Sequence, residues 1–112
     1  MKPLSIDFDG TLHDVDTPLV GKRMGAPIPG AVDAMNELEE RGFGLIIYTL
    51  RAKTQAGRQV VEDWLDYYDI PYSNVTDRKP DAAAYIDNKA IRFKDWPTTM
   101  KDLYKTLGIE DL

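Results

Sequence analysis

The sequence contains no cysteine. This excludes a disulfide framework, a thiol nucleophile and any zinc site built on thiolates. It has little apolar continuity: a run such as Leu45–Tyr48 is far too short to span a bilayer. The N-terminal stretch reaches Asp7 before the apolar centre of a leader peptide could form, so a cytoplasmic chain is expected. It is also short of positive charge, with 14 Lys and Arg against 19 Asp and Glu and a formal net charge of −5. General nucleic-acid binding, which phosphate neutralisation drives, needs the opposite balance. A specific contact to a nucleic-acid end is compatible with it. Neither GxxxxGK[ST] nor GxGxxG occurs, so the two common glycine-rich phosphate cradles are absent. An EF-hand is excluded as well: counted from Asp7, its obligatory Gly and Glu positions hold Leu12 and Pro18.

What remains is one domain's worth of chain, residues 1–112, with 43% hydrophobic residues, enough for a single core. The acidic residues divide into 14 Asp and 5 Glu. Short carboxylates suit caps, turns and metal sites, whereas Glu decorates helix faces. Leu4–Phe8 predicts a first strand. Residues 12–30, rich in Pro and Gly and without period, predict a flap. Val32, Met35 and Leu38 mark a helix that Gly42 ends. Phe43–Leu50, almost continuously apolar, predicts a strand covered on both faces. Val60, Val61, Trp64, Leu65 and Tyr68 stripe a second helix with Thr54 as its N-cap, and Gly57 costs that helix about 1 kcal/mol relative to Ala. By the same spacing Tyr48, Trp64, Tyr67 and Tyr68 are expected to be packing residues. Tyr72–Val75 predicts a weak strand and Ala82–Ile86 a buried one. Thr99-x-x-Asp102 predicts a capping box opening a last helix, with Met100, Leu103, Tyr104 and Leu107 inward and Gly108 at its end.

Strands alternating with helices predict an α/β fold, a three-layer, doubly wound (Rossmann-like), mostly parallel sheet. In such a fold the strand C-termini share one edge, where ligands bind. The residues falling there are Asp7-Phe8-Asp9-Gly10-Thr11, Tyr48-Thr49-Leu50-Arg51 and Tyr85-Ile86-Asp87-Asn88, with Arg78-Lys79 on the loop before the last strand. Three clustered carboxylates either bind a cation or carry raised pKa values. Mg²⁺ suits them, since it takes one or two carboxylates together with water and substrate phosphate. Thr49 and Lys79 supply the hydroxyl and the charge that hold phosphoryl oxygens. Arg51, two residues beyond Thr49, is a candidate substrate contact with Leu50 beside it. Lys53, Arg58 and Arg78 are cations near the same edge. The single histidine, His13, is expected at the surface or in packing rather than on substrate.

Asp7-Phe8-Asp9-Gly10-Thr11-Leu12, an apolar strand running into DxDGT, resembles the first motif of the haloacid dehalogenase superfamily of phosphohydrolases. Ile46-Ile47-Tyr48-Thr49 resembles its second motif, Lys79-Pro80 its third and Tyr85-Ile86-Asp87 its fourth, in the family order. The stretch from Lys79 to Ile91 is similar to small phage and bacterial members. The resemblance implies that Asp7 is a nucleophile forming an aspartyl-phosphate. It implies that Asp9 is the general acid–base. Thr49 and Lys79 would bind the phosphoryl group, and Mg²⁺ would be held by Asp7, the Asp9 backbone carbonyl and Asp87. The implied activity is hydrolysis of a phosphomonoester, on a small molecule or a nucleic-acid end. Two departures stand out. A position often acidic in the fourth motif is Asn88, and residues 12–30 are too few for a cap domain, so a capless member with a flap is implied. Capless members tend to act on larger substrates or to close the site by forming a homo-oligomer. Three alternatives stay open: phospholigand binding without turnover, phosphotransfer, and a receiver-like signalling domain. A receiver domain would carry its phosphorylated Asp on a middle strand, which here ends in Thr49.

Overall fold

The computed structural model describes residues 2–18 and 24–109. Four strands form one parallel sheet: β1 (Leu4–Asp7), β4 (Leu45–Tyr48), β5 (Asn74–Thr76) and β6 (Ala84–Ile86), in the order β5-β4-β1-β6. The register sets Leu4 beside Leu45 and Ile6 beside Ile47, with Val75 beyond them, so one face of the sheet is aliphatic. That face carries the core. Against it lie Ala31 and Met35 of α1 (Ala31–Glu40) and Val61, Trp64 and Leu65 of α2 (Gln55–Tyr67), with Phe8 and Leu12 at the strand's end. Among the described residues the fold is therefore α/β, with a parallel sheet and three α-helices, a Rossmann-like arrangement. Its strand C-termini share one edge.

The local predictions that hold do so for local reasons. The Thr54 hydroxyl caps α2 by accepting the Gly57 N–H at 3.0 Å. Gly42 follows α1 at φ +91° and Gly108 follows α3 at φ +67°, the left-handed closure that glycine allows without strain.

Several expectations are corrected. The flap region is an antiparallel hairpin, β2 (His13–Pro18) with β3 (Gly25–Pro27), where the sequence predicted no regular element. Its residues 19–23 lie outside the described ones. The last helix, α3 (Trp96–Leu107), begins three residues before the expected Thr99 box. Asp95 caps it instead, its carboxylate accepting the Thr98 N–H at 2.8 Å, and Pro97 sits in the first turn, where a missing N–H costs nothing. The expected burial of α3 also fails. None of its residues is buried, and Leu107 is 60% exposed. β6 is exposed along its length although its composition is apolar. The expected third layer is thus not closed over the sheet by α3. Tyr67 is largely exposed instead of buried, with its ring edge-on to Tyr68. Gly57 is no helix defect: a Cβ there would collide with the Arg51 backbone carbonyl, so only glycine lets α2 approach the 3₁₀ turn Leu50–Lys53.

Candidate functional site

β1 ends at Asp7, and the chain then folds back in a single tight loop. The Phe8 carbonyl accepts the N–H groups of Thr11, Leu12 and His13, while the Gly10 N–H donates to the His13 carbonyl at 2.9 Å. Gly10 makes the loop possible by adopting φ +84°. A Cβ on Gly10 would also strike the Asn88 side-chain amide, so the first loop and the segment after β6 meet here. The Thr11 hydroxyl stands 3.5 Å from both an Asp7 carboxylate oxygen and the Asn88 side-chain oxygen. A cleft of about 780 Å³ opens at this edge, and Asp7, Lys79 and Asp87 all line it.

The two carboxylates at the strand ends differ electrostatically. Burial and the nearby Asp87 charge push the Asp7 carboxyl above its ordinary range. Burial also raises Asp9, but hydrogen bonds from Arg51 and His13 outweigh it, and the net shift is downward. The Arg51 guanidinium grips Asp9 with two bonds, Nε to Oδ2 at 2.9 Å and Nη2 to Oδ1 at 3.1 Å. Asp9 is therefore ionised as it stands, and its carboxylate is turned to Arg51 and His13 rather than joining Asp7 and Asp87. The expected convergence of three carboxylates becomes a pair plus an ion pair. Among the described residues no cluster of three or more acidic or histidine side chains is arranged to hold a metal ion. The pair that remains still fits Mg²⁺, because Asp7 and Asp87 repel each other and two carboxylates with water and phosphate are a set that ion accepts.

Thr49 is buried, with 5% of its surface exposed, at the end of β4 next to β1. Its hydroxyl oxygen accepts the Arg51 N–H at 3.2 Å, which leaves its proton free to be donated. The Lys79 ammonium lies 4.7 Å from the Tyr85 ring centre, a cation–π contact at the cleft wall. No described ion pair ties Lys79 to Asp7. Leu50 is exposed at the start of the 3₁₀ turn and does not line the cleft. Arg58 is engaged elsewhere, bonding Glu62 at 2.7 Å and the Asn74 side chain at 3.1 Å.

His13 takes the packing place expected of it, but its bond to Asp9 was not foreseen from the sequence. The ring is 3% exposed and stacks on Phe8, with Trp64 edge-on to it. The Gly25 N–H donates to Nε2 at 2.7 Å, so Nε2 is unprotonated and the assigned tautomer carries its proton on Nδ1. That Nδ1 lies 2.9 Å from Asp9 Oδ1 and donates to it. The Gly25 carbonyl in turn accepts the Trp64 indole N–H at 2.9 Å. An unbroken chain of bonds thus runs from α2 through the hairpin to Asp9. The available signal was the spacing of Asp9 and His13 across a Gly-containing turn, which places the two side by side.

No protein-family model matches this sequence, and no curated protein does. Solved structures do resemble it. A conserved protein from Bacteroides thetaiotaomicron superimposes with a TM-score of 0.65 at 20% identity, covering 94% of this chain and 91% of that one. A crystal structure from Vibrio cholerae superimposes with a TM-score of 0.57 at 25% identity, covering 95% and 99% respectively. These likenesses bear on the fold: an α/β domain whose whole length is shared. No helix among the described residues is long and apolar enough to cross a membrane.

Proposed function

We propose that this chain is a phosphomonoester hydrolase of the haloacid dehalogenase type, capless and dependent on Mg²⁺. The observation that carries the reading is the lining of one cleft by Asp7, Lys79 and Asp87, with the Thr49 hydroxyl on the adjacent strand end. A carboxylate nucleophile, a cation for phosphoryl oxygens and a second carboxylate on one strand edge are what an aspartyl-phosphate route requires. Resemblance of the four motifs, in order, supports the same reading.

In the proposed reaction an Asp7 oxygen attacks phosphorus and the bond from phosphorus to the leaving oxygen breaks. Asp9 passes its proton to that oxygen. Water then gives a proton back to Asp9 and attacks the aspartyl-phosphate, releasing inorganic phosphate and the Asp7 carboxylate. Mg²⁺ held by Asp7 and Asp87 would supply charge neutralisation. Asp9 needs a proton for the first half, yet Arg51 holds it ionised. The phosphate dianion is a competing partner for the guanidinium, so binding of substrate draws Arg51 off Asp9 and lets the carboxyl carry a proton. Substrate binding and activation of the acid are then one event.

The test is release of phosphate from an aryl phosphate, with and without Mg²⁺, by the wild-type chain and by Asp7→Asn. Turnover that needs Mg²⁺ and disappears in Asp7→Asn is expected; turnover retained in the variant refutes the covalent route. One observation favours a second reading, phospholigand binding without hydrolysis: both Asp9 carboxylate oxygens are already bonded, to Arg51 and His13, which favours the ionised form. Saturable binding of a phosphate ester with no release would establish that reading instead.

A further inference from the structure

A groove of about 360 Å³ lies between α2 and the start of β3 and shares no lining residue with the cleft of Asp7 and Lys79. Met24 and Gly25 form one side. The other is Val60, Asp63, Trp64 and Tyr67, spaced three and four apart and so on one face of α2, with Tyr68 after them. The three aromatic rings lie in different planes. Tyr67 stands at 84° to Tyr68 with 4.8 Å between ring centres, and Tyr68 is inclined at 57° to Trp64 at 5.0 Å. The bond from the Trp64 indole N–H to the Gly25 carbonyl, 2.9 Å, fixes one wall to the hairpin. Tyr67 is 66% exposed, so a large ring is held in solvent at the rim. One charge accompanies the rings. Asp63 Oδ1 accepts the Gln59 amide at 2.7 Å, which orients the carboxylate and leaves Oδ2 without a partner among the described residues. No Lys or Arg among the described residues lines the groove. The surrounding field has the sign of Asp63: burial, and then the charges of Asp66, Glu62 and Asp63, push the Tyr72 hydroxyl above its ordinary range.

We propose that this groove binds a small organic cation, a quaternary ammonium group held by Trp64, Tyr67, Tyr68 and Asp63. The face of an aromatic ring carries negative charge density, and rings in different planes bring more than one face to a single point. A quaternary ammonium spreads its charge over methyl groups that fit such faces and has no N–H to satisfy. Asp63 supplies the counter-charge. A divalent metal does not suit the groove, because it demands several oxygen ligands and Asp63 is the one carboxylate in the described lining. An anion would meet the Asp63 charge unopposed, and a neutral apolar ligand would make no use of it.

The site is independent of the proposed hydrolysis, and choline tests it without any phosphate ester. The chain has two tryptophans, Trp64 in the groove and Trp96 on α3, so their indole N–H resonances in nitrogen-labelled protein give a site signal and a control. Choline added to about 100 mM at constant ionic strength should move the Trp64 signal saturably, with half-saturation in the millimolar range, and leave Trp96 in place. The uncharged alcohol in which carbon replaces the choline nitrogen should bind at least about tenfold more weakly. Asp63→Asn and Tyr67→Leu should each weaken choline by about threefold or more, with melting curves close to wild type because both side chains are exposed. A Trp64 signal that does not saturate overturns the proposal. So does equal binding of the uncharged alcohol, which would make this a plain apolar groove. Choline binding that survives both substitutions also overturns it, by placing the cation elsewhere, on carboxylates such as Asp7 and Asp87.

Discussion

Replacing Arg51 by Gln isolates the interaction that sets the state of Asp9. The native pair makes two charge-assisted bonds, at 2.9 and 3.1 Å, between side chains that are 39% and 37% exposed. Fully exposed pairs contribute roughly 0.2–1 kcal/mol, and hydrogen bonds to charged groups roughly 1.5–3 kcal/mol. Partial exposure and water screening place this pair near the top of the first range, about 1 kcal/mol. For a domain of this size that lowers the melting temperature of Arg51→Gln by about 4 °C near neutral pH. The pH dependence follows from the downward shift of Asp9. A carboxyl lower in the folded than in the unfolded state contributes its full stability above the unfolded pKa of about 3.9. It loses that stability as pH falls through the folded value. In Arg51→Gln the Arg51 part is already gone. The gap between the two proteins should therefore be widest at neutral pH, begin to narrow below about pH 4 and close in stronger acid, where Asp9 is protonated in both. Melting curves of both proteins from neutral pH to about pH 2.5 provide the assay, with other acid-labile groups cancelling between them. No gap at neutral pH, or a gap unchanged at the acid end, refutes the reasoning.

His13→Phe keeps the stacking volume but orphans the buried Gly25 N–H and removes a donor to Asp9, so urea unfolding should show a loss of about 2 kcal/mol. Gly57→Ala should lower stability by about 1–3 kcal/mol, the cost of overpacking against the Arg51 carbonyl, although helix propensity alone predicts a gain. A melting temperature equal to or above wild type would contradict that contact. If the proposed hydrolysis operates, Asp9→Asn should slow it by about 10²–10⁴-fold on ordinary phosphate esters and by less on esters with very good leaving groups. An equal loss across a leaving-group series would assign Asp9 a structural role.

What the sequence determined by itself is everything governed by near neighbours. The aliphatic stripe of Leu4 and Ile6 and that of Leu45 and Ile47 specify strands that pair in register, because alternation and burial allow no other face inward. Thr54, Gly42 and Gly108 mark helix ends through bonds and backbone angles spanning a few residues. The strand ends therefore carried Asp7, Thr49 and Asp87 to one edge as soon as the order of elements was known. The last helix was misplaced at its start because two capping signals competed, and Asp95 followed by Pro97 outweighed Thr99. Tertiary structure decided what depends on groups far apart in the chain. Arg51 reads from the sequence as a candidate substrate contact, but its pairing with Asp9, 42 residues away, exists only in the fold, where two opposite charges in a half-buried setting bind each other. His13 reads as incidental until Gly25 and Trp64 close around it. Gly57 reads as a weak point in α2 until the Arg51 carbonyl occupies the space of its missing side chain. The apolar composition of β6 and α3 predicted burial for both, but composition carries no address, and the three-dimensional arrangement leaves β6 exposed and Trp96 and Leu107 of α3 in solvent.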